Sequence, residues 1–198
     1  RTVRAYEAIG VGGLLIEDQD RDRKQQRADK AAAVVDRQVI EEKLRIALSV
    51  RQSADTFIIG RTDAYGALGP DEALRRAERF LALGVDGVFV AGLRREEDYA
   101  RVGDTFRGSI LTAAMFEGGD TPWLTPRVLG EMGFRHVSYP TTLMFRLVQA
   151  MAQALGDLRA FADGERDFAR LGADTPARGL LDDAVNLAQW RELEKRRS

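Results

Sequence analysis

Charged and polar side chains follow directly on short apolar segments of this chain. The first two such groups are Glu17-Asp18-Gln19 and Arg61-Thr62-Asp63, and later ones lie at 115–119 and 139–141. Carboxylates gathered on one rim suit a hard divalent cation such as Mg²⁺. An arginine at such a point suits a two-point grip on a carboxylate ligand. The residue types therefore predict a site for a cation and a small anion, and surface charges without a ligand are the alternative.

Five short apolar segments would place these side chains. Each is too short for a helix and rich in residues that favour strands. They lie at 13–16, 56–59, 87–90, 109–112 and 136–139. In a parallel α/β fold, reactive groups collect at the carboxyl ends of the strands, which is where the charged groups fall.

Helical patterns alternate with these strands. Pro70 suits a first helical position, and the apolar stripe after it comprises Ala73, Leu74, Ala77, Phe80 and Leu81. Thr125 is predicted to cap the helix that Pro126 begins. The stripe from Leu143 to Leu155 is predicted to end at Gly156. Gly10, Gly84 and Gly133 each lie between a helix and a strand, at the same distance in sequence from the strand. This is expected for repeated βα units.

The five βα units are fewer than the eight of a closed barrel. The sheet is therefore either open or part of a (β/α)₈ barrel whose first units lie upstream. The chain begins with Arg1 inside a helical pattern, which favours an incomplete N-terminus. We expect a partial barrel domain at 1–156 and a helical extension at 157–198, with a helix from 182 to 197. The extension is a candidate for docking on a neighbouring subunit.

Composition limits the function classes. The 198 residues carry a net charge of −1, which gives no reason to expect nucleic acid or an anionic membrane as partner. The chain has no cysteine, so disulfides and thiolate metal sites within it are excluded. No apolar stretch is long enough to cross a bilayer, and no signal peptide opens the chain. A cytoplasmic location is the resulting expectation.

Several segments resemble the isocitrate lyase / phosphoenolpyruvate mutase superfamily. Residues 16–19 read IEDQ and resemble its I-E-D-[QK] strand end, and residues 59–64 read IGRTDA and are similar to I-x-R-T-D-A. Residues 114–122 read AMFEGGDTP and resemble N-M-x-E-G-G-x-T-P. Further matches lie at 69–77, 83–87 and 133–140. The order and spacing of the matches, from Arg1 to about Met151, are specific for the superfamily.

The resemblance implies a TIM-type barrel and a Mg²⁺-dependent lyase or mutase, with Mn²⁺ as the alternative metal. The substrate would be a small α-keto or 2-hydroxy carboxylate, changed by C–C cleavage, oxaloacetate-type decarboxylation or C–P chemistry. Family members hold the metal chiefly through upstream aspartates, and Glu17 would join the metal's water shell. Arg61 would bind the substrate carboxylate. Glu117, Thr121 and Arg146 would line or support that pocket, and Arg61 and Glu117 would have catalytic roles. A homotetramer, with or without helix exchange, is also implied.

The sequence departs from the family pattern at three places. Residues 20–30 contain neither Cys nor His, whereas isocitrate and methylisocitrate lyases carry an acid/base Cys in this loop. Ala91 stands where many members have Glu, and Ala114 stands where they have Asn. Loss of one donor in a desolvated site costs on the order of 3 kcal/mol in the transition state. A degraded family member that serves as a binding or scaffold subunit is therefore the alternative function.

Structural roles compete with these assignments. Arg61 could be an ion-pair partner of Glu17 or Asp63, and Glu17 could form a rim salt bridge. Asp18 is predicted to fix a loop rather than to touch metal. His136, predicted to begin a strand away from the site, is expected to be structural. Residues 20–30 could be a solvated charged loop or a closing lid.

Overall fold

The computed structural model describes residues 1–20, 22, 33–165 and 176–196. The chain divides into two compact units, Arg1–Leu143 and Met144–Ser198. The first unit carries the sheet and the candidate site.

The first unit is built on a parallel sheet. Its strands are β1 (Gly13–Glu17), β2 (Phe57–Thr62), β3 (Gly87–Val90), β4 (Ile110–Ala114) and β5 (Phe134–Ser138). Each strand pairs in parallel with the next along the chain. The fifth strand lies two residues earlier than predicted at its start, so that His136 is its third residue and not its first.

Helices connect the strands in this unit. They are α1 (Thr2–Glu7), α2 (Arg37–Val50), α3 (Ala64–Leu68), α4 (Pro70–Ala82), α5 (Glu96–Thr105) and α6 (Pro126–Glu131). The alternation of helix with parallel strand, in sequential order, confirms the predicted α/β fold of the TIM-barrel type. The described residues contribute a five-stranded sheet to that fold.

The main core lies between one face of the sheet and the helices. Ile58 and Val88 of the sheet are at most 1% exposed, as are Leu44 of α2 and Phe80 of α4. Successive side chains of a strand point to opposite faces, so these positions alternate with the residues of the other face. Burial of this helix-facing layer by apolar side chains is the main stabilising contribution to the unit.

The opposite face, here called the inner face, is less covered. The strand register places Leu15, Ile59 and Glu17 on it, and then Arg61 beside Phe89. Leu15 is 47% exposed, whereas Ile59 is 7% exposed. Along β1 and β2, the inner face therefore changes from apolar side chains to the charged side chains of Glu17 and Arg61 at the carboxyl ends of the strands.

The predicted αβ turns are present. Gly10, Gly84 and Gly133 have φ values of 79°, 94° and 98°, a left-handed conformation that costs glycine little. The predicted cap of α6 also forms, because the backbone N–H of Val128 donates to Thr125 Oγ1 at 3.3 Å. The glycine and capping signals therefore located these helix ends correctly.

The second unit consists of helices in its described part. Helix α7 (Thr142–Ala162) begins just before it, and α8 (Pro176–Ala184) and α9 (Leu187–Lys195) follow. The prediction that a helix ends at Gly156 is wrong, because α7 continues through it to Ala162. A mid-helix glycine costs about 1 kcal/mol relative to alanine, and the strong helix formers around it offset that cost.

The predicted helix at 182–197 is also different in the structure. Two helices replace it, separated at Asn186, whose φ of 53° is left-handed. Asparagine tolerates this conformation better than most residues, which explains the break. The first of the two begins at Pro176, a residue suited to a first helical turn. The domain boundary proposed at Gly156 stays a prediction.

No helix among the described residues combines the length and apolar character needed to span a membrane.

Candidate active site

The guanidinium of Arg61 is held between two carboxylates at the end of β2. Arg61 Nε and Nη2 donate to Asp63 Oδ2 and Oδ1 at 2.9 and 2.8 Å, a two-point pair. Glu17, opposite Arg61 on β1, brings Oε2 to 3.5 Å from Arg61 Nε. The guanidinium carbon lies 5.1 Å from the ring centre of Phe89. These contacts fix the side chain over the inner face instead of leaving it to solvent.

The same contacts keep Arg61 charged. Burial alone lowers the pKa of Arg61, but the hydrogen bond and charge of Asp63, followed by Glu17 and Asp18, outweigh it and raise the pKa. Arg61 is therefore a cation throughout the pH range in which the protein is folded.

Part of the guanidinium remains available. An arginine has five N–H donors, and those of Arg61 that face Asp63 are occupied. Within the described residues, Nη1 of Arg61 donates to no protein group. The outer edge formed by Nη1 and Nη2 is the geometry that binds a carboxylate at two points.

Asp18 has no exposed surface and holds the turn that follows Arg61 at the end of β2. Its carboxylate accepts from the Thr62 hydroxyl at 2.7 Å and from the backbone N–H of Asp63 at 2.8 Å. The backbone N–H of Asp18 in turn donates to the carbonyl of Arg61 at 3.2 Å. The prediction that Asp18 fixes backbone is confirmed.

A chain of ion pairs continues from Asp18 into the helices. Arg76 of α4, with 5% of its side chain exposed, donates to Asp18 Oδ2 at 3.0 Å and to Glu72 Oε1 at 3.0 Å. Arg37 of α2 binds both oxygens of Glu72 at 2.7 and 2.5 Å. The hydrogen bond from Arg37, opposed by burial and reinforced by Arg76, lowers the pKa of Glu72 to about 2.

A cleft of about 860 Å³ opens beside Arg61. Glu17, Gln19 and Asp20 line it together with apolar side chains of α1, β1 and α2. Gln19 Oε1 is buried and has no hydrogen-bond partner in the part of the chain that the structure describes. The cleft therefore combines a fixed cation, a carboxylate and an uncompensated oxygen.

These groups only partly fit a divalent cation. Asp18 and Asp63 are committed to Thr62, Arg76 and Arg61. Glu17 is the strand-end carboxylate that lines the cleft, and Asp20 and Asp22 also line it. The described residues contain no cluster of three His, Cys, Asp or Glu side chains that could hold a metal. Glu17 and the oxygen of Gln19 fit a contact with the water shell of a cation, and not a complete ligand set.

Glu117 and Thr121 lie in the loop that follows β4. The backbone N–H of Glu117 donates to Thr141 Oγ1 at 3.1 Å, so this loop is tied to the end of β5. The loop also brings Trp123 edge-on to Tyr139, with 5.6 Å between ring centres. Glu117 and Thr121 thus lie at the same edge of the sheet as Arg61, and their roles stay predictions.

The remaining site predictions are not tested by this geometry. Arg146 is an exposed residue of α7 in the second unit. Residues 21 and 23–32, which hold most of the predicted loop at 20–30, lie outside the described residues.

The inner face next to Arg61 is apolar. Phe89, Ala91, Ala114 and Ile59 form a small cluster in which each residue is 6 or 7% exposed. The two alanines that depart from the family pattern are thus neighbours in this cluster. Apolar side chains, instead of hydrogen-bond donors, therefore lie on this side of the inner face.

The fold and this arrangement define a parallel α/β protein with an arginine–carboxylate site at the carboxyl ends of its strands. The family model of phosphoenolpyruvate phosphomutase matches residues 1–159, and the chain belongs to that family, within the isocitrate lyase / phosphoenolpyruvate mutase superfamily.

Individual relatives agree with this assignment. The chain is 31% identical over 198 residues to 2,3-dimethylmalate lyase of Eubacterium barkeri, which covers 98% of this chain and 62% of the relative. A crystal structure of 2,3-dimethylmalate lyase superposes with a TM-score of 0.81 at 26% identity, covering 100% of this chain and 66% of that one. The structure of oxaloacetate acetylhydrolase in complex with 3,3-difluorooxalacetate superposes with a TM-score of 0.78 at 26% identity. This superposition covers 97% of this chain and 65% of that one. The chain thus spans about two thirds of the length of these relatives.

Sequence reasoning gave no role to Arg76 or Phe89. One signal for Arg76 was present, because position 76 falls within the buried stripe formed by Ala73, Ala77 and Phe80. An arginine on an apolar helix face indicates a buried partner. Phe89 carried no such signal, since a phenylalanine in a buried strand is ordinary core.

Proposed function

We propose that the protein to which this chain belongs is an enzyme that acts on a small α-keto or 2-hydroxy carboxylate. The reaction is cleavage of a carbon–carbon bond next to a carboxylate, or a related decarboxylation or C–P step. Support comes from family membership and from relatives named as a lyase and an acetylhydrolase.

The observation that carries the proposal is the Arg61 clamp. Asp63 occupies one edge of the guanidinium and leaves the other edge for a ligand. A substrate carboxylate bound there would be neutralised and oriented without reorganisation of the protein. Preorganised positive charge of this kind also stabilises negative charge that develops during bond cleavage.

The neighbouring apolar cluster bears on the substrate. Ala91 and Ala114 offer no hydrogen bond to a second polar arm, and Phe89 presents a ring. A substrate whose carboxylate meets Arg61 would therefore direct its carbonyl or alkyl portion towards this cluster. Small branched or short-chain acids fit this better than a tricarboxylate, which would bury an unpaired charge.

We further propose Mg²⁺, or Mn²⁺ in its place, as cofactor, with Glu17 and Gln19 contacting its water shell. A bound cation would supply polarisation of the substrate carbonyl. Arg61 would bind and orient the carboxylate beside it, and Glu17 would hold water in the cleft. Residues beyond those described must complete the ligand set.

The proposed assembly is a homo-oligomer in the cytoplasm, with a tetramer as the expectation from the resemblance. The second unit supports association because it exposes large apolar side chains, including Leu180 at 69%, Leu155 at 66% and Trp190 at 61%. No observation favours the scaffold alternative, since Arg61, Asp63 and Glu17 keep their mutual contacts.

The test is an assay of the purified full-length protein with Mg²⁺ against oxaloacetate, 2,3-dimethylmalate, 2-methylisocitrate and phosphonopyruvate. We expect turnover of at least one acid, abolished by EDTA and restored by Mg²⁺ or Mn²⁺. The same panel with Arg61→Ala identifies turnover that depends on the clamp. Absence of any turnover in metal-replete protein would refute the proposal.

A further inference from the structure

The inference concerns a buried ionic cluster that the proposed reaction does not use directly. Arg76 of α4 meets Asp18, the residue that follows β1. Arg76 and Asp18 are 4% and 0% exposed, so neither can meet a ligand. Their contacts must therefore act on the surrounding protein.

Arg76 binds more than one segment at a time. Its Nη1 atom donates to Asp18 Oδ2 at 3.0 Å and to the backbone carbonyl of Val35 at 2.8 Å. Its Nε atom donates to Glu72, which Arg37 also holds. One guanidinium thus joins α4 to the end of β1 and to the segment that enters α2.

Asp18 and Val35 are themselves parts of a short paired stem. The N–H of Val35 donates to the carbonyl of Asp18 at 2.8 Å, and Gln19 pairs with Val34 in antiparallel orientation. The N–H of Asp20 donates to the carbonyl of Ala33 at 2.8 Å. Arg76 contacts the base of this stem from both sides, through the side chain of Asp18 and the backbone of Val35.

The carboxylate of Asp18 also binds the turn next to Arg61. Its Oδ1 atom accepts from the N–H of Asp63, and Oδ2 accepts from Thr62. Asp63 is the residue whose carboxylate sets the orientation of Arg61. A continuous set of hydrogen bonds therefore runs from Arg76 through Asp18 and the backbone of Asp63 to Arg61.

A purely structural ion pair would not need this connectivity. Replacement of a buried pair by apolar side chains of similar volume is often neutral or stabilising. The requirement for a planar donor at this point comes from the three acceptors, Asp18, Val35 and Glu72, which lie in different directions around it. Arg76 meets them from two separate nitrogens, Nη1 and Nε. Lysine carries its three N–H donors on a single nitrogen and cannot reproduce this geometry.

We propose that Arg76 is a positioning residue: through Asp18 it sets the turn that orients Arg61 and the stem at 18–20 and 33–35. Its kinetic consequence rests on the proposed function, whereas its structural consequence does not. A misplacement of the clamp by about 1 Å is sufficient for a 10²-fold loss of rate.

The experiment uses the full-length protein and four variants: Arg76→Met, Arg76→Lys, Asp18→Asn and the double variant Asp18→Asn/Arg76→Met. The matched control is Arg79→Met on the same helix, where the arginine is 51% exposed and pairs with Glu41. Amide hydrogen exchange is followed at Val35 and Asp63, with the amides of β3 as the internal reference. Kinetics are measured with the acid that the wild type converts.

We expect exchange at Val35 and Asp63 to rise at least tenfold in Arg76→Met while β3 changes little. We expect kcat/KM to fall about 10²-fold, mainly through KM, because Arg61 binds the substrate carboxylate. Arg76→Lys should regain thermal stability more fully than kcat/KM. The double variant should fold, since it leaves no unpaired charge, and should still show the kinetic defect.

Two results would overturn the inference. One is exchange at Val35 and Asp63 in the folded double variant that rises no more than in Arg79→Met. The other is faster exchange with unchanged kcat/KM, which would leave Arg76 a stabilising residue only. A wild type that converts none of the acids would refute the proposed function, and the exchange at Asp63 would still decide the role of Arg76.

Discussion

At the scale of single residues, the candidate site is centred on Arg61, whose side chain is oriented by its neighbours. Asp63 and Glu17 satisfy part of the guanidinium of Arg61, and Phe89 lies beside it. Strand ends and motif spacing predicted the position of Arg61, and its pairing with Glu17 or Asp63 was the structural alternative to ligand binding. The sequence could not predict Phe89, because the register between β2 and β3 decides which ring lies next to Arg61.

Arg61→Ala should abolish or greatly reduce turnover while the protein stays folded. The side chain contributes little apolar burial, and its loss removes the charge that would bind the substrate carboxylate. We expect kcat/KM to fall by about 10²–10³-fold, measured by steady-state kinetics alongside circular dichroism. The control is Arg107→Ala, because Arg107 is exposed and pairs only on the surface with Asp104. This variant should leave kcat/KM unchanged. Equal activity of the two variants would mean that the substrate binds elsewhere.

Glu72 gives the protein a specific sensitivity to acid. Its pKa is lowered from 4.5 to about 2 in the folded protein, chiefly by Arg37. The carboxylate therefore contributes stability that is fully present above pH 4.5 or so and is lost as the pH falls through about 2. Because Arg37 is 47% exposed, solvent screening limits this contribution to on the order of 2 kcal/mol.

Chemical denaturation between pH 7 and pH 2 measures this contribution. Glu72→Gln should unfold more easily at pH 7 and should show a flatter loss of stability between pH 4.5 and pH 2. Glu78→Gln on the exposed side of the same helix should follow the wild type. A wild-type pH dependence that survives in Glu72→Gln would assign the acid sensitivity to other carboxylates.

At the scale of elements, local signals predicted more than long-range ones did. Glycines in left-handed turns and the Thr125 cap determined where helices of the first unit begin or end, and these depend on neighbouring residues alone. The helix end predicted at Gly156 was wrong because the sequence does not distinguish a glycine inside a helix from one that ends it. The network of Asp18 and Arg76 joins residues 58 positions apart, and no local pattern encodes such a pairing.

The crossing of α5 with the end of α6 depends on Gly103. A Cβ atom placed there would lie 1.9 Å from the carbonyl oxygen of Met132, so the two backbones would have to separate. We expect Gly103→Ala to destabilise the protein by about 1–3 kcal/mol, or more if the backbones cannot move apart. Equilibrium unfolding in urea measures the change.

Gly130→Ala is the matched control for this crossing. Gly130 lies in α6, and a Cβ atom there would meet nothing within 4 Å. Alanine should therefore stabilise the helix by about 0.5–1 kcal/mol. A Gly103→Ala variant as stable as Gly130→Ala would show that the close contact is not required.

At the scale of the whole molecule, the chemistry is restricted by what the chain lacks. It contains no cysteine, so no thiol of residues 1–198 can transfer a proton. We predict that Cys-dependent cleavage of 2-methylisocitrate is undetectable, whereas hydrolysis or decarboxylation of an oxaloacetate-like acid needs mainly a polarised carbonyl and the Arg61 clamp. Lysines of the segment at 20–30 would need a large downward pKa shift through burial to replace the thiol.

Product analysis after incubation of the full-length protein with each acid tests this ranking. Release of pyruvate and succinate from 2-methylisocitrate, lost on Lys24→Ala or Asp29→Ala, would reverse it. A serine variant of an exposed residue, such as Arg107→Ser, is a suitable control because it leaves the cleft untouched.

The sequential order of the strands has a consequence for how the chain folds. Each strand pairs with its successor, and the paired residues are separated by 44 positions for Gly13 and Phe57 but by 23 for Gly87 and Ile110. Loop-closure entropy grows slowly with length, so this difference costs only about 0.6 kcal/mol. The whole sheet can thus assemble by short-range closures, with low contact order for an all-parallel sheet. The pairing of β1 with β2, which brings Glu17 opposite Arg61, closes the longest of these loops.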